Sequence, residues 1–253
     1  VTAWPWIIAS LAGFTAGSIP FGLLIGRLKG VDVREHGSRN IGATNVGRVL
    51  GRPFGYLCFI LDALKGVLPV VIAGSMLSTH VPDAQRTGLL MPLTGIAAIL
   101  GHIYSPWVAF KGGKGVATSF GALLAMWPLM TFPALGALAV WIVVVKTTRY
   151  VSAASMLAAL ALPVLLLVRA RVWPGAEPMQ TAEFLPLLIA VTLLAALVIW
   201  KHRANISRLR AGTELRIGGA KSAGVSAGVG AGVAGAAQQS HAPSTLPSDT
   251  LRS

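Results

Sequence analysis

This sequence predicts an all-α integral membrane protein of about seven transmembrane helices, and three observations carry that reading. Hydrophobic residues fill 54% of the 253 positions and charged residues only 11%, whereas soluble domains carry about 25% charged residues. Mean hydropathy is +0.70. The apolar residues also gather into long runs, roughly 4–28, 54–78, 88–107, 116–130, 132–146, 150–169 and 184–200, and a membrane helix needs about 20 mainly apolar residues.

The first run has no basic residue before Arg27 and no small-residue cleavage site. It is therefore expected to stay as a span rather than to be removed as a signal peptide. Pro128 and Pro133 divide the fourth run from the fifth, and both are short. Joining them as one broken helix would give six spans. The basic residues decide between the two counts. Seven spans with the amino terminus outside place seventeen of the 21 Lys and Arg residues in the cytoplasm. Only Arg86, Arg169 and Arg171 are left outside, with Lys65 inside a span. That asymmetry follows the positive-inside rule, and six spans would destroy it. Trp4, Trp6, Trp107, Trp127, Trp173 and Trp200 fall near the ends of runs, where interfacial aromatics sit. From Gly218 the chain turns to Gly, Ala, Ser and Pro with few large apolar residues, too little to bury a core. Residues 1–217 thus read as a polytopic membrane domain, and 218–253 as a disordered cytoplasmic tail.

The formal net charge of +13 would suggest nucleic acid in a soluble protein. Here the charge lies between apolar segments, so topology explains it and the expected partner is the lipid bilayer. The single cysteine, Cys58, excludes an internal disulfide framework and a cysteine-ligated zinc site. No metal and no cofactor are expected, and the oligomeric state, a monomer or larger, is left open by the sequence.

Three polar stretches interrupt the apolar pattern. His36–Gly51 combines four glycines with Ser38, Asn40, Thr44, Asn45, Arg39 and Arg48. Backbone N–H groups, short donors and a guanidinium fork are what an oxyanion site needs. Its plainer reading is a basic cytoplasmic loop. Lys111-Gly112-Gly113-Lys114-Gly115 leads into an apolar helix that carries Thr118. Backbone N–H groups at a helix start, joined by lysines, bind phosphate. Gly115 follows Lys114 where a nucleotide-triphosphatase loop has Ser or Thr. His202-Arg203-Ala204-Asn205 follows the last run, with Glu214 downstream. His202 and Asn205, three apart, share one face of a continuing helix. A surface anchor accounts for the basic residues there but not for His, Asn and Glu. Asp62 and Lys65 lie inside an apolar run, where a charge costs roughly 2.5–3.5 kcal/mol, so they are expected to pair or to line a polar cavity. His102 is expected to be structural or at a cavity wall.

The order Gly37-Ser38-Arg39-Asn40-Ile41-Gly42-Ala43-Thr44-Asn45 with Arg48 resembles the first signature of the bacterial acyl-phosphate-dependent glycerol-3-phosphate acyltransferases. Phe110–Thr118 resembles the second, and His202, Asn205 and Glu214 the third. Arg39 stands where that pattern often has glycine and is not carried over. The resemblance covers about residues 4–216. It implies transfer of a fatty acyl group from acyl phosphate to the sn-1 hydroxyl of glycerol 3-phosphate, at the cytoplasmic face of the bacterial inner membrane. It also implies that Ser38, Asn40, Asn45, Arg48, His202 and Asn205 hold glycerol 3-phosphate. Lys111, Gly112, Gly113, Lys114, Gly115 and Thr118 would hold acyl phosphate, with Asp62, Lys65 and Glu214 supporting the site. Ser38, His202 and Asn205 would serve catalysis, and either His202 or the departing phosphate would take the hydroxyl proton. Neither a His followed five positions later by Asp nor a Gly-x-Ser-x-Gly elbow is present. A small-anion or organophosphate transporter is the competing class, although its site should lie near the bilayer midplane, often within a repeat.

Overall fold

A computed structural model describes residues 3–82, 89–172 and 181–218. Arg86, Trp173 and the tail from residue 219 onward lie outside the described residues. Every regular element described is helical: α1 Trp4–Ser18, α2 Phe21–Leu28, α3 Ala43–Leu50, α4 Arg52–Met76, α5 Met91–Ile103, α6 Val116–Ala125, α7 Thr131–Thr148, α8 Val151–Val172, α9 Thr181–Lys201 and α10 Arg203–Arg210.

Five stretches are long and apolar enough to cross a bilayer: Trp4–Leu28, Arg52–Met76, Thr131–Thr148, Val151–Arg171 and Phe184–Lys201. The third and fourth expected runs are shorter helices than the sequence suggests. The 13 residues of α5 and the 10 of α6 reach only about 20 and 15 Å, against a hydrocarbon core of about 30 Å. Pro106 and Trp107, which the third run includes, belong to the 3-10 turn Pro106–Val108 instead. Pro128 lies in the turn at Met126–Met130 that separates α6 from α7, whereas Pro133 sits in the first turn of α7.

The first run is also broken, at Ile19–Pro20, where proline has no N–H to continue the helix. The carbonyls freed at that break are captured from neighbouring elements. Ser105 Oγ donates to Ser18 O (2.6 Å) and Lys65 Nζ to Ile19 O (2.8 Å). Helix α1 lies tightly along α5, because Gly17 and Gly101 each present bare backbone where a Cβ would overlap the partner helix. A core that includes Ile99, Ile103, Met126, Met130, Leu166 and Leu187 ties α5 and α6 to α7, α8 and α9. This packing sets the end of α5, the start of α6 and the end of α9 around one cleft.

Candidate active site

The first polar stretch becomes a loop ahead of α3, and Asn45 on that helix holds it. Asn45 is 1% exposed. Its Oδ1 accepts the Ser38 N–H (2.7 Å), while Nδ2 donates to Val33 O (2.9 Å) and His36 O (3.1 Å). The carboxamide is thus spent on the loop, and Asn45 sits behind Ser38 rather than on the cleft wall. Asn40 Oδ1 accepts the Gly42 N–H (2.9 Å) just before α3. Ser38 and Asn40 both line the cleft.

The glycine loop lies across the end of α5. Gly112 N–H donates to Ile103 O and Gly113 N–H to His102 O, each at 3.2 Å. A Cβ on Gly113 would overlap the His102 imidazole. The glycine therefore serves approach to His102 from within the protein, where the sequence suggested approach to a ligand. Gly115, at φ +83°, caps the start of α6 in a left-handed conformation that favours glycine. His102 is buried, with Nδ1 3.7 Å from Asp62 Oδ1, and Asp62 pairs with Lys65 at 2.8 Å. Asp62 and Lys65 thus meet beneath the loop. Thr118 is fully buried and Lys111 is exposed away from the cleft, so neither lines it.

The third stretch forms the opposite wall. Glu214 is buried and gathers three donors: Asn205 Nδ2 (2.6 Å) and Ser152 Oγ (2.7 Å) on Oε1, and Arg208 Nε (2.7 Å) on Oε2. Burial raises its pKa, but those hydrogen bonds from Asn205, Ser152 and Arg208 outweigh that and hold it below the ordinary value. Asn205 Oδ1, turned the other way, accepts a short hydrogen bond from Lys114 Nζ, which ties this wall to the glycine loop. Burial, opposed in part by Glu214 and aided by Arg208, Arg48 and Lys201, brings Lys114 down to about 8. Arg48 donates to Leu215 O (3.0 Å) from α3.

His202 is buried, with Nδ1 2.7 Å from Val198 O. A carbonyl only accepts, so Nδ1 carries the proton and Nε2 keeps a lone pair. Burial, then the charge of Lys114, lowers the imidazole to about 4, so it is neutral at pH 7.

The cleft encloses about 250 Å³ between Ser38, Asn40, Gly112, Lys114 and the Lys201–Arg208 wall. Lys201, Arg203 and Arg208 line it although their basic charge was explained in the sequence by topology alone. Arg208 had a signal: it stands three residues beyond Asn205 on α10, and so on the same face. Ser152 had none, being one serine in an apolar run. Several cations around a single carboxylate, with neutral donors between them, suit a ligand carrying more than one negative charge.

Residues 7–212 match the family described as Glycerol-3-phosphate acyltransferase. A glycerol-3-phosphate acyltransferase of Geobacter sulfurreducens is 44% identical over 214 residues, covering 83% of this chain and 96% of that protein. One from Trichlorobacter lovleyi is 46% identical over 209 residues, covering 83% and 94%. The solved structure of PlsY (YgiH), an integral membrane glycerol 3-phosphate acyltransferase, in its glycerol 3-phosphate form, is 38% identical. It superposes with a TM-score of 0.70 over 84% of this chain and 96% of that one. The chain belongs to the glycerol-3-phosphate acyltransferase family and is an integral membrane acyltransferase.

Proposed function

We propose that this protein moves a fatty acyl group from acyl phosphate to the sn-1 hydroxyl of glycerol 3-phosphate, forming lysophosphatidate and inorganic phosphate, the first step of phospholipid synthesis. The observation that carries this reading is the Lys114–Asn205 hydrogen bond, which joins a glycine loop at a helix start to a basic wall centred on Glu214. Two anion-binding features then share one cleft, as two phosphate substrates require. Ser38, Asn40, Arg48, His202 and Asn205 hold glycerol 3-phosphate, and Asn45 acts through the position of Ser38. Gly112, Lys114 and Gly115 hold the acyl phosphate, and Gly113 sets their loop against His102.

The hydroxyl oxygen attacks the acyl carbonyl carbon. A new C–O bond forms, and the bond from that carbon to the phosphate oxygen breaks, with its electron pair leaving on phosphate. The hydroxyl proton passes to His202 Nε2 or to the departing phosphate. An acyl phosphate is already activated, so the protein's part is to position two substrates and to stabilise charge. With His202 as low as about 4, it is a weak base at neutral pH, which favours the phosphate as final proton acceptor.

The positive-inside count supports seven crossings, with α5 and α6 as short ones, the cleft and tail cytoplasmic and the membrane the bacterial inner membrane. A reporter fused after Arg216 should read cytoplasmic, and one before Trp4 outside; a tail found outside contradicts the topology. The activity test uses purified protein with palmitoyl phosphate and labelled glycerol 3-phosphate. Labelled lysophosphatidate is expected, one phosphate released per product. Product from an acyl thioester but none from acyl phosphate would overturn the donor assignment.

A further inference from the structure

Beyond α10 the chain is tied back onto the protein. Gly212 and Gly218 both take left-handed backbone, at φ +69° and +73°, and a Cβ on either would meet nothing within 4 Å. Between these two open turns residues 213–217 form a short strap without helix.

The strap lies against the turn between α7 and α8 in antiparallel order. Glu214 Oε1 accepts from Ser152 Oγ (2.7 Å), Arg216 Nε donates to Tyr150 Oη (2.9 Å), and the Ile217 N–H donates to Arg149 O (2.9 Å). The Arg216 guanidinium carbon is also 5.0 Å from the centroid of the Tyr150 ring, a cation on an aromatic face. Among the described residues no carboxylate pairs with Arg216, so its charge is left to this clasp. The turn beneath is itself fixed. Arg149 closes α7 in a left-handed conformation at φ +62°, its N–H on Val145 O (2.9 Å), and Thr148 Oγ1 accepts the Tyr150 N–H (3.1 Å). A residue other than glycine keeps such a backbone where its surroundings hold it there.

Leu215, between the two residues that grip the turn, gives its carbonyl to Arg48 Nη2 of α3 (3.0 Å). Glu214 has donors of its own in Asn205, Ser152 and Arg208, and these hold it without the clasp. The Leu215 carbonyl has no such support, and its place follows from its neighbours. An arginine fork recognises phosphate through the direction of its N–H groups. A carbonyl that fixes one amino group therefore sets where the remaining donors point.

We propose that Tyr150 and Arg216 are positioning residues for glycerol 3-phosphate: their clasp fixes the strap, and the Leu215 carbonyl of that strap aims the Arg48 guanidinium. This rests on the reading above that Arg48 holds that substrate. Neither Tyr150 nor Arg216 lines the cleft, so each acts through the strap.

The test varies each substrate in turn on protein inserted equally well. Tyr150→Phe keeps the ring and every charge, and should raise KM for glycerol 3-phosphate about threefold. Arg216→Ala removes both halves of the clasp and should raise it about fivefold to tenfold, with kcat and KM for palmitoyl phosphate within about 1.5-fold. Arg210→Ala, which removes a charge near the end of α10 but no strap contact, should leave all three constants within about 1.5-fold. In an Arg48→Ala background, adding Arg216→Ala should cost less than about twofold more in kcat/KM for glycerol 3-phosphate, because the group it aims is gone. A parent protein that transfers no acyl group to glycerol 3-phosphate overturns the proposed function and this inference with it. With an active parent, three results overturn the inference alone: unchanged KM in both clasp variants, equal losses toward both substrates, or a full Arg216→Ala loss in the Arg48→Ala background.

Discussion

Gly112–Gly115 is held through backbone: two N–H groups rest on carbonyls of α5, and His102 occupies the place of an absent side chain. Lys201–Glu214, across the cleft, is held through side chains, with Asn205, Ser152 and Arg208 converging on one carboxylate. One wall depends on shape and the other on charge. A loop set by shape should respond to an added methyl group while tolerating changes in pH. A wall set by charge should tolerate small changes in size and fail when its carboxylate loses charge. Lys114, from the first wall and bonded to Asn205 in the second, is where the two modes meet.

The largest effect expected is on the charged wall. Glu214→Gln keeps the size but takes the charged acceptor from Arg208 and aims an NH2 group at a donor; a lost charge-assisted hydrogen bond costs about 1.5–3 kcal/mol, and an unsatisfied buried donor about 1–3 kcal/mol more. kcat/KM for glycerol 3-phosphate should fall at least about a hundredfold in protein that inserts normally. A loss under threefold would mean that Glu214 organises nothing the reaction uses. Gly113→Ala tests the other wall. Its methyl group must displace the His102 ring or the loop, so apparent KM for acyl phosphate should rise about tenfold to a hundredfold, with KM for glycerol 3-phosphate within threefold. Equal losses toward both substrates would show that the walls are not separable.

Arg48→Lys should raise KM for glycerol 3-phosphate about tenfold, because lysine cannot copy a guanidinium fork that also reaches Leu215 O. A pure kcat effect would place Arg48 elsewhere in the mechanism. A smaller effect is the alkaline limb. Lys114 has its pKa lowered to about 8, so it holds its charge below that pH and loses it as pH rises through it. kcat/KM should decline above about pH 8, and Lys114→Arg should move that limb upward, since guanidinium stays charged. His202, neutral above about 4, should add no limb between pH 5 and 8. The smallest effect belongs to the tail: removing residues 218–253 should leave activity in membranes within twofold, and an inserted but inactive truncation would reveal a role for it.

What the sequence shows of each wall follows from the same contrast. Glycine spacing in Gly112-Gly113-Lys114-Gly115 is local, so the loop and the helix after it are legible without a structure. The length of the flanking helices is not. Hydropathy cannot tell the last turn of a span from an apolar 3-10 turn, and the loop around Trp107 was counted as helix. Glu214 could be suspected, but its partner Ser152 lies 62 positions away with nothing local to mark it. Asn45 was read as a ligand because an amide in a polar loop points outward as often as inward, and only the positions of Val33 O and His36 O show which way it turns. His102 was placed at a wall, and its position under Gly113 explains that glycine better than any ligand did.

Both walls must act on their substrates at the same moment for this account to hold, and two-substrate initial rates test that directly. Palmitoyl phosphate and glycerol 3-phosphate are varied against each other, and the double-reciprocal lines are examined. Intersecting lines are predicted, because both phosphates occupy the cleft before any bond breaks. Parallel lines, with phosphate released before glycerol 3-phosphate binds, would show an acyl-enzyme formed on a residue such as Ser38 and would contradict the shared cleft.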